Sequence, residues 1–96
     1  SQVDIAGATV AMRRARGRVA TVSVNSFVFN QPVSVGDVVS FFAEVVETGR
    51  TSIKVTVEVY AERNPMQPIT VKVTQATLTY VAINQQGTKR QLPEIE

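Results

Sequence analysis

The chain has few acids, so each can be weighed on its own. Asp4 opens the segment 4–16 (DIAGATVAMRRAR). A carboxylate there caps or begins a helix, stabilising its positive end by about 0.5–2 kcal/mol. The same carboxylate, held beside helix-terminal amides, can act as a base toward water while free N–H groups bind a developing oxyanion. Position alone favours the structural role. Gly49-Arg50-Thr51-Ser52 combines a turn, a guanidinium and two hydroxyls, which can hold phosphate through charge-assisted hydrogen bonds. An isolated segment of this kind is more often a hairpin turn with an exposed arginine. Asn25 interrupts an apolar strand, either as a bulge residue or facing a polar ligand group. Arg13, Arg14, Arg16 and Arg18 read first as the solvated, dipole-complementing end of a helix.

What is missing narrows the chemistry further. The 96 residues include no Cys and no His, which removes disulfides, thiolate nucleophiles, histidine triads and the usual zinc ligand sets. Catalysis is left to carboxylates, hydroxyls, amines and backbone amides, and no metal site is expected. No G-x-S-x-G elbow, phosphate-binding glycine loop or calcium-loop pattern occurs. A net charge of +2 is too small for a general claim on nucleic acid, and at 6% aromatic residues the interleaved stacking platform is not evident. No apolar run approaches the roughly 18 residues of a membrane span. The opening Ser1-Gln2-Val3-Asp4 has no leader pattern, so the expected compartment is the cytoplasm.

The elements that must position these residues follow from periodicity. One domain is expected from the length. Residues 4–16 predict a single helix, with cations at its negative end, Gly17 past the last turn, and small residues Gly7, Ala8 and Ala11 permitting close approach to a sheet or ligand. Four strand-like runs follow, at about 18–30, 37–48, 51–62 and 69–83. The first ends at Gln31-Pro32, the second starts after the turn Val35-Gly36-Asp37, and Gly49-Arg50 joins the second to the third. Val39, Phe41, Ala43 and Val45 share one face of the second run. Ile53, Val55, Val57 and Val59 share one face of the third. The fourth has Ile69, Val71 and Val73 inward and then Ala76, Leu78 and Tyr80, a slip of one near Thr74-Gln75 that a β-bulge would absorb. Strands this long must curl, so the expected fold is α+β, one curved antiparallel sheet around one helix. Phe42 and Tyr60 then lie on the outer face as an apolar patch for a partner. The tail after Gly87 reads as loosely held.

Taken in order, several blocks resemble the acyl-CoA thioesterases of the hotdog fold. They are Val3-Asp4-Ile5-Ala6-Gly7-Ala8, Gly17-Arg18-Val19-Ala20-Thr21-Val22-Ser23-Val24, and Phe29-Asn30-Gln31-Pro32-Val33-Ser34-Val35-Gly36-Asp37-Val38-Val39. Val46-Glu47-Thr48-Gly49-Arg50-Thr51-Ser52-Ile53, Val57-Glu58-Val59 and Val73-Thr74-Gln75-Ala76-Thr77-Leu78-Thr79-Tyr80-Val81-Ala82-Ile83 continue the match. The resemblance spans nearly all of residues 1–96. It implies a central helix wrapped by the sheet, a homodimer whose sheets join, commonly a trimer of dimers (a hexamer), and hydrolysis of the thioester of an acyl-CoA. It places Asp4 at the catalytic acid, as general base or nucleophile. Gly49, Arg50, Thr51 and Ser52 fall at the segment associated with the CoA nucleotide end, and Asn25 in the strand near the reacting centre. No cofactor is implied beyond the CoA carried by the substrate.

The sequence departs from that family in two places. A strand and an Asn/Gly-rich turn precede the helix in the family, whereas this sequence starts where the helix would already be under way. The expectation is that the leading strand and turn are missing here or that the oxyanion donors come from elsewhere. Gln75 stands where relatives usually carry Asp or Glu, and a neutral amide is no base. The competing readings are a non-catalytic acyl-CoA-binding or regulatory hotdog module and, more remotely, a nucleic-acid-binding β protein using the arginine cluster.

Overall fold

The computed structural model describes residues 2–31, 33, 35–63, 66 and 69–95. It contains one helix, α1 (Gln2–Ala15), followed by β1 (Val19–Val28), β2 (Val38–Thr48), β3 (Ser52–Arg63) and β4 (Ile69–Ala82). The strands form one antiparallel sheet in the order β1-β4-β3-β2, with α1 packed across one face. The α+β architecture is the expected one. Pro32, the predicted stop after the first strand, lies outside the described residues, as does Ser1.

The helix packs closely because its inner face is nearly bare of side chains. Gly7, Ala11 and Ala15 recur every fourth residue, which puts them on one stripe, and all three are buried. Ala8 is only half-buried. Beneath them lie Ile53, Val55 and Val57 of β3 with Leu78 and Tyr80 of β4, all fully buried. Burial of each such aliphatic side chain contributes about 1.5–3 kcal/mol. At the C-terminal end of α1 the left-handed residue is Arg16 (φ 53°) rather than the glycine, and Gly17 donates to the Met12 carbonyl at 3.2 Å. That six-residue closure satisfies a carbonyl the helix leaves open.

Three bulges set the register. In β4, Val59 pairs with Thr74 and Tyr60 with Lys72, leaving Val73 unpaired, so the expected slip is real and falls one residue before Thr74. In β2 the extra residue is Val46, and in β1 it is Val22. As read from the sequence, Phe41, Ala43 and Val45 pair with inward valines of β3, while Phe42 and Tyr60 meet on the outer face with ring centroids 5.7 Å apart. The turn before β2 uses Gly36 at φ 97°, where a side chain would be strained.

The tail corrects the sequence reading. Instead of hanging loosely, it is fastened: Arg90 N–H donates to the Ala82 carbonyl and Leu92 N–H to the Arg50 carbonyl, each at 2.9 Å, and Leu92 is buried. Arg14 adds a bond to the Pro93 carbonyl and Arg18 one to the Gln85 carbonyl. Two of the four clustered guanidinium groups thus hold the chain's own backbone.

The chain exposes more than a closed monomer would. Its surface is 6524 Å², against about 5,400 Å² for a compact protein of its mass. The radius of gyration is 15.6 Å, against about 12.5 Å for its length. Large apolar side chains are exposed along both edge strands, including Val22, Val24, Phe27 and Val28 of β1 and Val38, Phe41 and Phe42 of β2.

Candidate active site

Asp4 sits in the first turn of α1, where the unpaired amides of the helix start and the positive end of its dipole favour a carboxylate. The residue is exposed in the single chain. Its backbone is not free to drift, because the Tyr80 hydroxyl, rising from the inner face of β4, donates to the Asp4 carbonyl at 3.4 Å. Gly7 leaves room for that contact. A Cβ at this position would stand 2.6 Å from the tyrosine oxygen and 3.4 Å from both Leu78 methyls. Burial raises the Tyr80 phenol above its ordinary value, and the Asp4 charge adds to the effect, so the hydroxyl stays a donor at neutral pH.

Gly49-Arg50-Thr51-Ser52 forms the β2–β3 turn, closed by Gly49 N–H donating to the Ser52 carbonyl at 2.9 Å. The Thr51 carbonyl accepts from Ala82, and the Arg50 carbonyl from Leu92. Main-chain groups therefore brace the turn against β4 and the tail, leaving Arg50 exposed. Ser52 is followed by Ile53, whose cross-strand partner is Tyr80. One cross-strand pair thus connects the turn to the tyrosine under Asp4.

Asn25 lies elsewhere. It is no bulge residue: it pairs with Thr77, and Phe27 pairs with Gln75, on the face turned away from α1. Within one chain the sheet separates Asn25 from Asp4. Gln75 shares that outer face and accepts from Lys72 Nζ at 2.6 Å. The same face carries a groove of about 850 Å³ lined by Phe42, Thr56, Glu58 and Tyr60 among others. A second hollow, about 410 Å³, lies between Arg13, Arg14, Arg16 and the tail. Neither includes Asp4, Asn25 or the Gly49–Ser52 turn. Among the described residues no group of three acidic ligands is close enough to hold a metal ion, and no helix is long and apolar enough to cross a membrane.

Tyr80 and Arg90 are the side chains whose roles sequence reasoning missed. Alternation put Tyr80 inward, and an inward tyrosine needs a partner for its hydroxyl, which was the available signal. Arg90 gave none, since its acceptors are backbone carbonyls, one of them 75 residues away in sequence.

Residues 1–66 match the thioesterase superfamily. The chain belongs to that superfamily. This thioesterase-superfamily chain is 43% identical over 95 residues to the acyl-CoA thioester hydrolase YciA of Escherichia coli, covering 97% of its own length and 72% of that protein. It is likewise 43% identical over 95 residues to a Haemophilus influenzae protein named as an uncharacterized acyl-CoA thioester hydrolase, of which it spans 62%. Its fold superimposes on the crystal structure of a hexameric hotdog fold thioesterase of Campylobacter jejuni, Cj0915, with a TM-score of 0.84 at 39% identity, covering 96% of this chain and 71% of that one. The sheet and helix described above are therefore a hotdog fold.

Proposed function

We propose that this chain hydrolyses acyl-CoA thioesters, with Asp4 as the acid that drives the reaction. The observation that carries the reading is a carboxylate in the first turn of α1, toward the positive end of the helix dipole. In the simplest course, the carboxylate takes a proton from water as the water oxygen bonds to the thioester carbonyl carbon. Helix-end amides bind the oxyanion of the tetrahedral intermediate. Collapse breaks the carbon–sulfur bond, giving the free carboxylic acid and, once the thiolate is protonated, CoA. Arg50 with Thr51 and Ser52 is proposed to take phosphate at the nucleotide end, and Asn25 to serve a site completed by another subunit.

The subunit boundary enters because Asp4 is exposed in the single chain and lines neither of the two hollows described above, while β1 is an edge strand with exposed apolar side chains. Pairing two β1 edges would extend the sheet and cover them. The Campylobacter relative is described as hexameric, which supports a homo-oligomer, proposed here as a dimer within a trimer of dimers. A cytoplasmic location accompanies the reading, on the cysteine-free composition.

The test mixes pure protein with a short acyl-CoA and follows free thiol. Wild type should release CoA, and Asp4→Asn should be slower by about 10²- to 10⁴-fold, the range typical for loss of a general base. Equal rates would remove Asp4 from the mechanism, and binding without thiol release would make the chain an acyl-CoA-binding module.

A further inference from the structure

We propose that Tyr80 is a positioning residue for Asp4, fixing the first turn of α1 so that the carboxylate keeps its aim. The inference rests on the reading of Asp4 as the working acid. Three independent features point to it. First, Tyr80 is 1% exposed, yet its hydroxyl is directed at the helix start and bonds the backbone carbonyl of Asp4 itself, 76 residues away in sequence. Second, α1 carries glycine where any side chain would collide with that hydroxyl, so the helix is shaped around the tyrosine oxygen. Third, Tyr80 is gripped from both sides in the middle of the sheet, paired with Thr21 of β1 and Ile53 of β3. A first helical turn is the part of a helix most prone to fray, having the fewest closed hydrogen bonds. A rigid donor anchored in the sheet beneath it restricts that freedom. Misplacing a catalytic group by about 1 Å can cost on the order of 10²-fold in rate. A phenol shielded by burial stays protonated, and so stays a donor, at neutral pH.

Tyr80→Phe keeps the ring that fills the core and removes only the hydroxyl. With a four-carbon acyl-CoA as substrate, we expect kcat to fall about 10- to 10²-fold, KM to stay within twofold, and the melting temperature to remain close to wild type. Introduced on top of Asp4→Asn, the same change should cause no further loss, because nothing would remain to be aimed. Wild-type kcat in Tyr80→Phe, with Asp4→Asn inactive, overturns this inference and leaves the Asp4 reading intact. So does an equal fold-loss in both backgrounds, which would mean that the hydroxyl acts through something other than Asp4. Full turnover in Asp4→Asn instead overturns the reading of the acid, and the positioning role with it.

Discussion

Arg90 donates from its guanidinium to the Ala15 carbonyl at 2.8 Å, joining the tail to the last residue of α1. A second bond runs from Arg90 Nε to the Ile83 carbonyl at 3.0 Å. One planar side chain thus caps the negative end of the helix and closes the turn after β4, a double duty suited to the fixed fork of a guanidinium.

Arg90→Ala should therefore destabilise the fold by about 2 kcal/mol or more, since hydrogen bonds to charged groups contribute about 1.5–3 kcal/mol each and two carbonyls lose their partner. Arg90→Lys should recover only part of this, because an ammonium cannot span both acceptors in one plane. Urea unfolding checks both variants, and an unchanged midpoint in Arg90→Ala would mean that the tail is held without the Arg90 side chain.

On the outer face, Lys72 lies 2.7 Å from Glu58, and Tyr60 donates to the same carboxylate at 2.9 Å. Hydrogen bonding from Lys72 first, and from Tyr60 second, holds the Glu58 carboxyl below its usual 4.5, while the bond to Glu58 raises Lys72 above 10.5. The depressed carboxyl adds stability above pH 4.5 that is lost as pH falls through its folded value. The raised amine adds stability below pH 10.5 that is lost as pH rises through its own. Glu58→Gln should thus flatten the acid limb of the stability–pH curve. Unfolding midpoints collected from pH 3 to pH 7 would expose a mismatch if wild type and variant ran parallel throughout.

Val24 stands on β1, half exposed, on the face that α1 covers elsewhere. If a second copy pairs along this strand, Val24→Lys places a charge against the new boundary, a device that blunts edges in natural sheets. Light scattering should then report a smaller particle than wild type, with thioester turnover falling alongside it. A variant of unaltered mass would move the subunit contact away from β1.

Much of this arrangement is written in local alternation. Ile53, Val55, Val57 and Val59 mark the inner face of β3 by period two, and the change of phase between Val73 and Ala76 announces a bulge, because a slip of one residue would otherwise turn Leu78 and Tyr80 outward. Asn25 was harder for the same reason. Counting inward from Val19 and Thr21 puts residue 25 on the helix side, but the bulge at Val22 hands that side to Val24, Ser26 and Val28. Nothing in the alternation of β1 singles out Val22 as the extra residue. The helix end was misplaced by one residue because glycine is the usual left-handed residue, whereas here Arg16 adopts that conformation and Gly17 supplies the donor. The tail misled for a different reason: Thr88-Lys89-Arg90-Gln91 is polar, and its anchorage depends on backbone acceptors that leave no periodic trace. Asp4 is proposed as the acid on the family resemblance, whereas Tyr80, which bonds its carbonyl, is 76 residues away in sequence and becomes visible only once β4 lies beneath α1.

The bond from Leu92 to the Arg50 carbonyl gives the segment after β4 leverage over the β2–β3 turn. A nick just before Leu92 would release the loop proposed above to take phosphate. Because Arg14 of α1 holds the neighbouring Pro93 carbonyl, the same cut would loosen the helix as well, so one short segment couples the turn to α1.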